Sequence, residues 1–465
     1  MPEYLAPGVY IEETSFRSKS IEGVGTSTTA FAGPTRRGPV GGTPEILTSE
    51  ADFERVYGGT ADLAFASSRP NYIALAVRAY FQNGGSRLYI ARTGTVGVAA
   101  TVQLNANPRV AVTARAAGAA GNGAVLPLAP ARRADALQNM YAVDVAAAAT
   151  AFQVRDALLA NNGAATLAGG TDGDEPTAQA YTDALETLER LSDISIVAAP
   201  GHTAYAVAGA IRVAVISHAE KRGLYRIAVL DSAEGDTPGD IRDTRGGIDS
   251  TKAAIYYPWV VIANPNARTG DARQPRELVV PPSGAVCGIY ARNDIERGVS
   301  KTPANEVVRG ALRFEQDVTF GENELLNPLG VNCLRYFPGR GYRVWGGRTV
   351  SSDPEWKYVS VRRYFNYLEA SIERGTQWAV FESNGPALWA NVRETISSFL
   401  YNEWRNGALL GETEKEAYFV RCDLSTMTQN DLDNGRLVCL IGVAVVKPAE
   451  FVIFRIGQKT ATSRE

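Results

Sequence analysis

The residues that could do chemistry are few. The loop GGTDGD at 169–174 sets two carboxylates, Asp172 and Asp174, among glycines, a grouping that could hold a cation or approach a phosphate. No partner motif follows it, so a Gly-rich crossing between domains is the better reading. Asp231, in LDS, ends a strand-like run, where acidic metal ligands stand in α/β enzymes. No Lys- or Gly-rich fingerprint accompanies it, which favours helix capping. GYRVWGGRT at 341–349 lacks the Lys of a phosphate loop, and its flanks are not a strand running into a helix. His202 and His218 are the only histidines, too far apart in sequence to suggest a His-based metal site. Surface or helix-end positions are expected for both, and their scarcity weakens most hydrolase mechanisms. Cys287, Cys333, Cys422 and Cys439 are scattered and form no CxxC pair. They read as small buried hydrophobes in a reducing compartment.

The basic residues give no stronger signal. Arg36-Arg37, Arg132-Arg133 and Arg362-Arg363 are isolated pairs, none set in a basic run with interleaved aromatics, so solvated or interface charges are expected. Tyr364, Phe365 and Tyr367 flank the last pair and make its helix an interface candidate. A net charge of -3 gives no bulk attraction to nucleic acid. The longest apolar runs, AAIYYPWVVIA and LVCLIGVAVV, are about half the roughly 20 residues needed to span a bilayer. MPEYLAPGVYIEE carries acids and Pro where a signal peptide needs a basic end and an apolar run. The chain is therefore expected to stay where it is made, or to leave by a route that reads no N-terminal signal.

The elements that position these residues form an α/β multidomain chain, and 465 residues are too many for one ordinary core. Residues 1–25 read as an arm: Pro2 and Pro7-Gly8 block helix, and VYIEETSF alternates like one half-buried strand. That strand either edges the chain's own sheet or is donated to another subunit, which the arm's reach of roughly 60–70 Å would allow. Residues 26–94 and 169–345 alternate strand and helix as a layered central α/β domain. In it, AAIYYPWVVIANP reads as strand and PPSGAVCGIYARNDIERG as a helix under the sheet. Between them, the Ala-rich 95–168 suits a small β-rich outer insertion with hairpins in VQLNANPRVAVTARAAGAAGNG. The stretch 346–465 holds two long helices and terminal strands. Asp353-Pro354 starts the first helix, with Val361, Phe365, Leu368 and Ile372 at helical spacing. Pro386 heads the second, which runs to Asn406-Gly407, and LVCLIGVAVV and FVIFRI read as strands.

The assembled blocks resemble the contractile tail sheath proteins of bacteriophages, R-type pyocins and extracellular contractile injection systems. The likeness lies in PGVYIEE at 7–13, FAGPTRRGP at 31–39, LTSEADFERVYGG at 47–59 and YFQNGGSRLYIAR at 80–92. GGTDG at 169–173, AIYYPWVVIANP at 254–265, PPSGAVCGIYARND at 281–294, LNPLGVNCLRYFPGRGYRVWGGRT and the two C-terminal helices follow in the family's order. The insertion at 95–168 does not align.

The resemblance implies a structural protein with no catalytic residue, cofactor or metal. It implies stacked hexameric rings of this chain around an inner tube, with baseplate and terminator or cap proteins as further partners. Neither nucleic-acid contact nor membrane insertion is implied. The chain would assemble in the bacterial cytoplasm and end in a virion tail or a released injection particle. By the same resemblance, the sheet of each inner domain at 346–465 is completed by neighbours' arms. Val9, Tyr10, Ile11, Glu12 and Glu13 would form one donated strand, and Phe451, Val452, Ile453, Phe454, Arg455 and Ile456 the other. The tube-facing helix would offer Pro386, Trp389, Arg393, Glu394, Ser397, Tyr401, Trp404 and Arg405. Two alternatives stand beside this reading: a metal-dependent enzyme using Asp172, Asp174 and Asp231, and an end-capping or baseplate-proximal sheath paralogue.

Overall fold

The computed structural model describes residues 20–65, 67–94, 101–106, 109–114, 141–145, 165–267 and 275–456, with isolated positions between 153 and 160. Contacts divide the described chain into two compact units, 25–367 with 447–456 and 20–24 with 368–446.

The larger unit opens with β1 (Thr29–Gly33), α1 (Glu50–Tyr57), the short pair β2 (Leu63–Ala64) and β3 (Ser68–Arg69), α2 (Tyr72–Gln82) and β4 (Leu88–Arg92). The strands β5 (Thr101–Ala106), β6 (Arg109–Ala114) and β7 (Tyr141–Val145) then form a separate antiparallel sheet. Alternation resumes with α3 (Ala178–Thr187), β8 (Ile196–Ala198), α4 (Ala208–Glu220), β9 (Ile227–Asp231), α5 (Pro238–Gly246) and β10 (Ala253–Tyr257). Next come β11 (Val260–Ala263), β12 (Glu277–Val280), α6 (Ser283–Arg297), β13 (Glu306–Val307) and β14 (Ala311–Phe314). The series ends with α7 (Phe320–Leu326), β15 (Val331–Phe337) and β16 (Gly341–Val344).

Eight of these strands make one sheet in the order β13-β16-β15-β10-β9-β8-β1-β4. From β15 to β4 the neighbours run parallel; β16 and β13 add an antiparallel edge. Strand side chains alternate between two cores, as a period of two requires. Phe31, Ile90, Ile196, Val229 and Tyr256 face a core shared with α1, α2 and α6. Ala30, Tyr89, Val197, Leu230 and Ile255 face one shared with α3, α4, α5 and α7. Both faces are covered, which is why the strands read as continuous apolar runs. On the first face α2 and α6 pack with little between them: a Cβ added at Gly284 would lie 2.6 Å from the Cα of Ala76.

Two expectations fail here for identifiable reasons. AAIYYPWVVIA is not one strand: β10 belongs to the eight-stranded sheet and β11 to a second sheet, β12-β11-β14. Pro258 lies between them and has no N–H for a ladder. Asp353-Pro354 does not open the long helix either. It starts a 3-10 turn, Pro354–Trp356, and α8 (Val359–Gly375) begins three residues further on.

The smaller unit contains the end of α8, then α9 (Pro386–Arg405), α10 (Glu414–Ala417), β17 (Tyr418–Arg421), α11 (Gln429–Asp433) and β18 (Leu440–Val443). Among the described residues, the strands β17 and β18 make a two-stranded antiparallel sheet. Above them α9 buries Leu388, Trp389, Val392, Ile396, Phe399 and Leu400 at helical spacing. The Tyr418 hydroxyl ties the layers by donating to the Ser397 carbonyl at 3.1 Å. Among the described residues, no helix is long and apolar enough to cross a membrane.

Candidate functional site

Most of the groups that could do chemistry serve the fold. Asp231 is buried at the end of β9; its carboxylate accepts from the Ser283 N–H and hydroxyl, both at 2.8 Å, and from the Gly201 N–H at 3.3 Å. It caps the start of α6, and burial raises its pKa to about 7 against those three hydrogen bonds. Asp172 is buried too and accepts from the Ala64 N–H at 2.7 Å, while Asp174 is exposed. Among the described residues, no group of three or more His, Cys, Asp or Glu is placed to hold a metal ion.

Both histidines are buried, which corrects the surface placement, although His218 does lie in the last turn of α4. The His218 Nε2 accepts from Arg226 Nη1 at 2.5 Å, and Arg226, itself fully buried, donates through Nη2 to the Leu188 carbonyl at 2.7 Å. Burial, then the Arg226 charge, hold His218 down to about 3, so the imidazole is neutral and free to accept. Burial likewise holds His202 down to about 4. Both rings are interior polar fillers.

Arg362 and Arg363 also depart from expectation: both are buried. Arg363 grips Asp294 with two hydrogen bonds of 2.8 and 2.5 Å, and its guanidinium lies 4.8 Å from the Tyr290 ring centroid. Burial alone would lower the Arg363 pKa, but Asp294 outweighs it and the net shift is upward. Arg362 lies 4.2 Å from the centroid of Trp356 and donates to the Asn366 side chain at 3.0 Å. This helix segment is core, and the basic pair is no surface feature. Arg132-Arg133 lie outside the described residues.

The candidate binding surfaces lie elsewhere. Phe451, Val452, Ile453, Phe454, Arg455 and Ile456 form no helix or strand and are all exposed, Ile456 almost fully at 96%. Just before them Glu450 is anchored firmly. It accepts from Arg348 Nη2 at 2.6 Å and Nε at 2.8 Å, from Asn327 at 2.8 Å and from the Tyr358 hydroxyl at 3.1 Å. Burial opposes its ionisation, but those bonds outweigh the penalty and hold its carboxyl below the usual range. At the other end of the chain Val9–Glu13 lie outside the described residues. The root that follows them is fixed rather than hinged: Ile21 is buried against Gly375, and the Val24 N–H donates to the Ser371 hydroxyl at 3.1 Å.

On α9 the residues proposed to face a tube divide. Trp389 points inward, its indole N–H donating to Asn384 at 2.7 Å. Arg393 donates to the Cys422 carbonyl at 3.2 Å and Trp404 to the Gly411 carbonyl at 3.0 Å; Ser397 is half-buried. Pro386, Glu394, Tyr401 and Arg405 are exposed, and with Ala387, Asn391, Ser398 and Asn402 they make one polar stripe along the helix. Sequence reasoning passed over Val380 and Phe381, just before α9. Phe381 is fully exposed, with φ at +68°, a backbone rarely adopted by a bulky residue.

Two domain families match the chain in succession: the phage tail sheath protein central domain over residues 174–350 and the phage tail sheath C-terminal domain over 351–459. The chain belongs to the phage tail sheath family. A putative prophage major tail sheath protein of Pseudomonas aeruginosa (strain UCBPP-PA14) is 26% identical over 273 residues, covering 56% of this chain and 64% of the relative. The chain thus spans less than two thirds of the length of the curated tail sheath relatives it matches first. Likeness to solved structures runs nearly end to end. A chain of the contracted helical sheath of the anti-feeding prophage is 26% identical, with a TM-score of 0.65, over 97% of this chain and 99% of that one. A chain of the same particle's six-fold symmetrised baseplate is also 26% identical, with a TM-score of 0.62, over 98% of this sheath protein and all of that chain.

Proposed function

We propose that this protein is a structural subunit of a contractile sheath, polymerising as stacked hexameric rings around an inner tube and contracting to drive that tube through a target envelope. The observation that carries the reading is the near full-length likeness to a contracted sheath subunit. The exposed Phe451–Ile456 and the two-stranded sheet β17-β18 are complementary in kind. One is an apolar segment without a ladder; the other is a ladder with unpaired edges. Donation of Phe451–Ile456 and of Val9–Glu13 to neighbouring copies would complete that sheet. At about five backbone bonds of ~1 kcal/mol net, each linkage contributes ~5 kcal/mol. Head-to-tail contacts that do not close generate an open filament, the geometry a sheath needs.

In this arrangement the inner domain is the C-terminal stretch from about residue 346, and the polar stripe of α9 faces the tube. The strand linkages persist while domain contacts exchange, so contraction is rigid-body motion from a kinetically held extended state and needs no nucleotide. Baseplate and cap proteins terminate the filament, which forms in the bacterial cytoplasm and acts as a tail or released particle. The baseplate likeness gives a second reading some footing: a paralogue placed at the baseplate end.

Electron microscopy of the purified chain, with and without co-expressed tube protein, tests the proposal. Striated tubes with six-fold end views are expected. A chain that stays monomeric with tube present, yet joins rings once baseplate is supplied, would replace the main-sheath reading by the baseplate one.

A further inference from the structure

The ladder β17-β18 brings together two residues that sequence spacing keeps apart. Its register pairs Tyr418 with Val443 and Arg421 with Leu440, so Cys422 stands directly opposite Cys439 at the next position. The parity of the ladder is fixed by the Ala444 N–H, which donates to the Ala417 carbonyl at 2.8 Å. Counting outward from that bonded pair, bonded and non-bonded pairs alternate, and the cysteine pair falls on a non-bonded position. Such pairs bring Cα atoms to about 4.5 Å with both side chains on one face, within the span a disulfide bridges. The two thiols lie close enough to perturb each other's ionisation, and both cysteines are free. Cys422 is buried and Cys439 is part-exposed. Cys287 and Cys333, by contrast, are buried on separate elements, α6 and β15.

We propose that Cys422 and Cys439 are an oxidation site, forming a cross-strand disulfide that staples β17 to β18 when the protein meets a peroxide-class oxidant. The Cys439 thiolate attacks one peroxide oxygen; the S–O bond forms, the O–O bond breaks, and the departing hydroxide takes up a proton as water. The Cys422 sulfur then attacks the Cys439 sulfenic sulfur. The S–S bond forms, the S–O bond breaks, and the expelled hydroxide leaves as a second water with the Cys422 proton. Two thiols and one peroxide give one disulfide and two waters. Burial, then the charge of Cys422, raise the Cys439 pKa to about 12, so thiolate is scarce at neutral pH and the bridge forms slowly. Its rate should climb about tenfold per pH unit below that value.

The staple closes a loop over residues 423–438 and fixes the sheet whose edges are open. Its use rests on the sheath reading: a particle assembled reduced in the cytoplasm would be hardened after release into an oxidising surrounding. The chemistry itself does not depend on assembly.

The test treats the purified full-length chain with hydrogen peroxide at neutral and alkaline pH, then counts thiols after denaturation and maps linked peptides. The expected result is loss of two of the four thiols, a single Cys422–Cys439 crosslinked peptide, and a higher Tm for the oxidised chain. C287S should still form the bridge, and C439S should not. The wild-type peptide map decides the matter even if C439S folds poorly. Four surviving thiols, over-oxidation of Cys439 alone, or crosslinks between chains would each overturn the proposal. Well-formed tubes that stay unbridged after peroxide treatment would sink the staple and leave the sheath reading standing; a bridged chain that never assembles would do the reverse.

Discussion

The eight-stranded sheet and the two-stranded sheet of this protein treat their backbones in opposite ways. In the large sheet every strand from β16 to β1 has a neighbour on both sides, both faces are buried, and the interior charges are paired, Arg363 with Asp294 and Arg226 with carbonyls and His218. In the small sheet each strand has one neighbour among the described residues, and Phe419 and Leu440 remain exposed. The first is finished within one chain; the second carries open edges. On the proposed sheath reading, stability and assembly fall to different parts of one polypeptide.

The largest expected effect tests the unfinished side. Deleting residues 451–465 should leave a cooperatively melting monomer but abolish tube formation under electron microscopy, and tubes at wild-type concentrations would remove the C-terminal arm from the assembly mechanism. The finished side should respond in the other currency. Arg363→Met strands the Asp294 carboxylate in the core and should cost about 3–5 kcal/mol in urea denaturation. Glu394→Lys, on the exposed stripe of α9, should shift stability by less than about 0.5 kcal/mol while altering tube engagement.

Proton linkage sharpens the contrast through three buried groups of the large unit. His202 and His218, held at about 4 and about 3, favour the folded state fully above the ordinary histidine pKa of 6.5, and that stability is lost as pH falls through this window. Asp231, raised to about 7, has the opposite sign: its contribution is present in acid and lost as pH rises from 3.8 towards 7. Each group is worth about 1.4 kcal/mol per pH unit, so two histidines outweigh one aspartate. Stability should therefore rise by about 1.4 kcal/mol per pH unit between roughly pH 4 and 6, and Asp231→Asn should about double that slope. The last effect is partly local. Glu450→Gln should speed amide exchange at 447–450 and cost less in the global melt than Arg363→Met, because the buried Arg348 loses its counter-ion but keeps its bond to the Asn327 carbonyl.

The layered α/β pattern was legible because it is written in strong local signals. Ser49 caps α1, Asn71 caps α2, and glycines follow both helices. Less was legible wherever a signal depended on partners distant in sequence. A basic pair beside aromatics looks the same on a surface as in a core, and only Asp294, 69 residues from Arg363, decides it. The burial of His218 goes with Arg226, whose guanidinium is held in place by the Leu188 carbonyl 38 residues away. Some misses were local and avoidable. Thr237 with Asp240 and Thr319 with Glu322 form full capping boxes at α5 and α7, helices that the sequence reading passed over. The binding surfaces divide the same way. FVIFRI was visible as a β-forming segment, whereas the outward face of α9 required the burial of Trp389 to be seen.

The exposed Phe451–Ile456 segment has a consequence for handling as well as for assembly. Five residues of high β-propensity in a six-residue exposed run are also the pattern that stacks in register with copies of itself into dry fibrils. Arg455 is the one charge set against that outcome, a gatekeeper inside the segment. On the proposed sheath reading, a cell making this protein faster than growing filaments consume it would accumulate chains whose apolar segment stays bare. Solubility at high expression should then depend more on the supply of filament ends than on the stability of any domain.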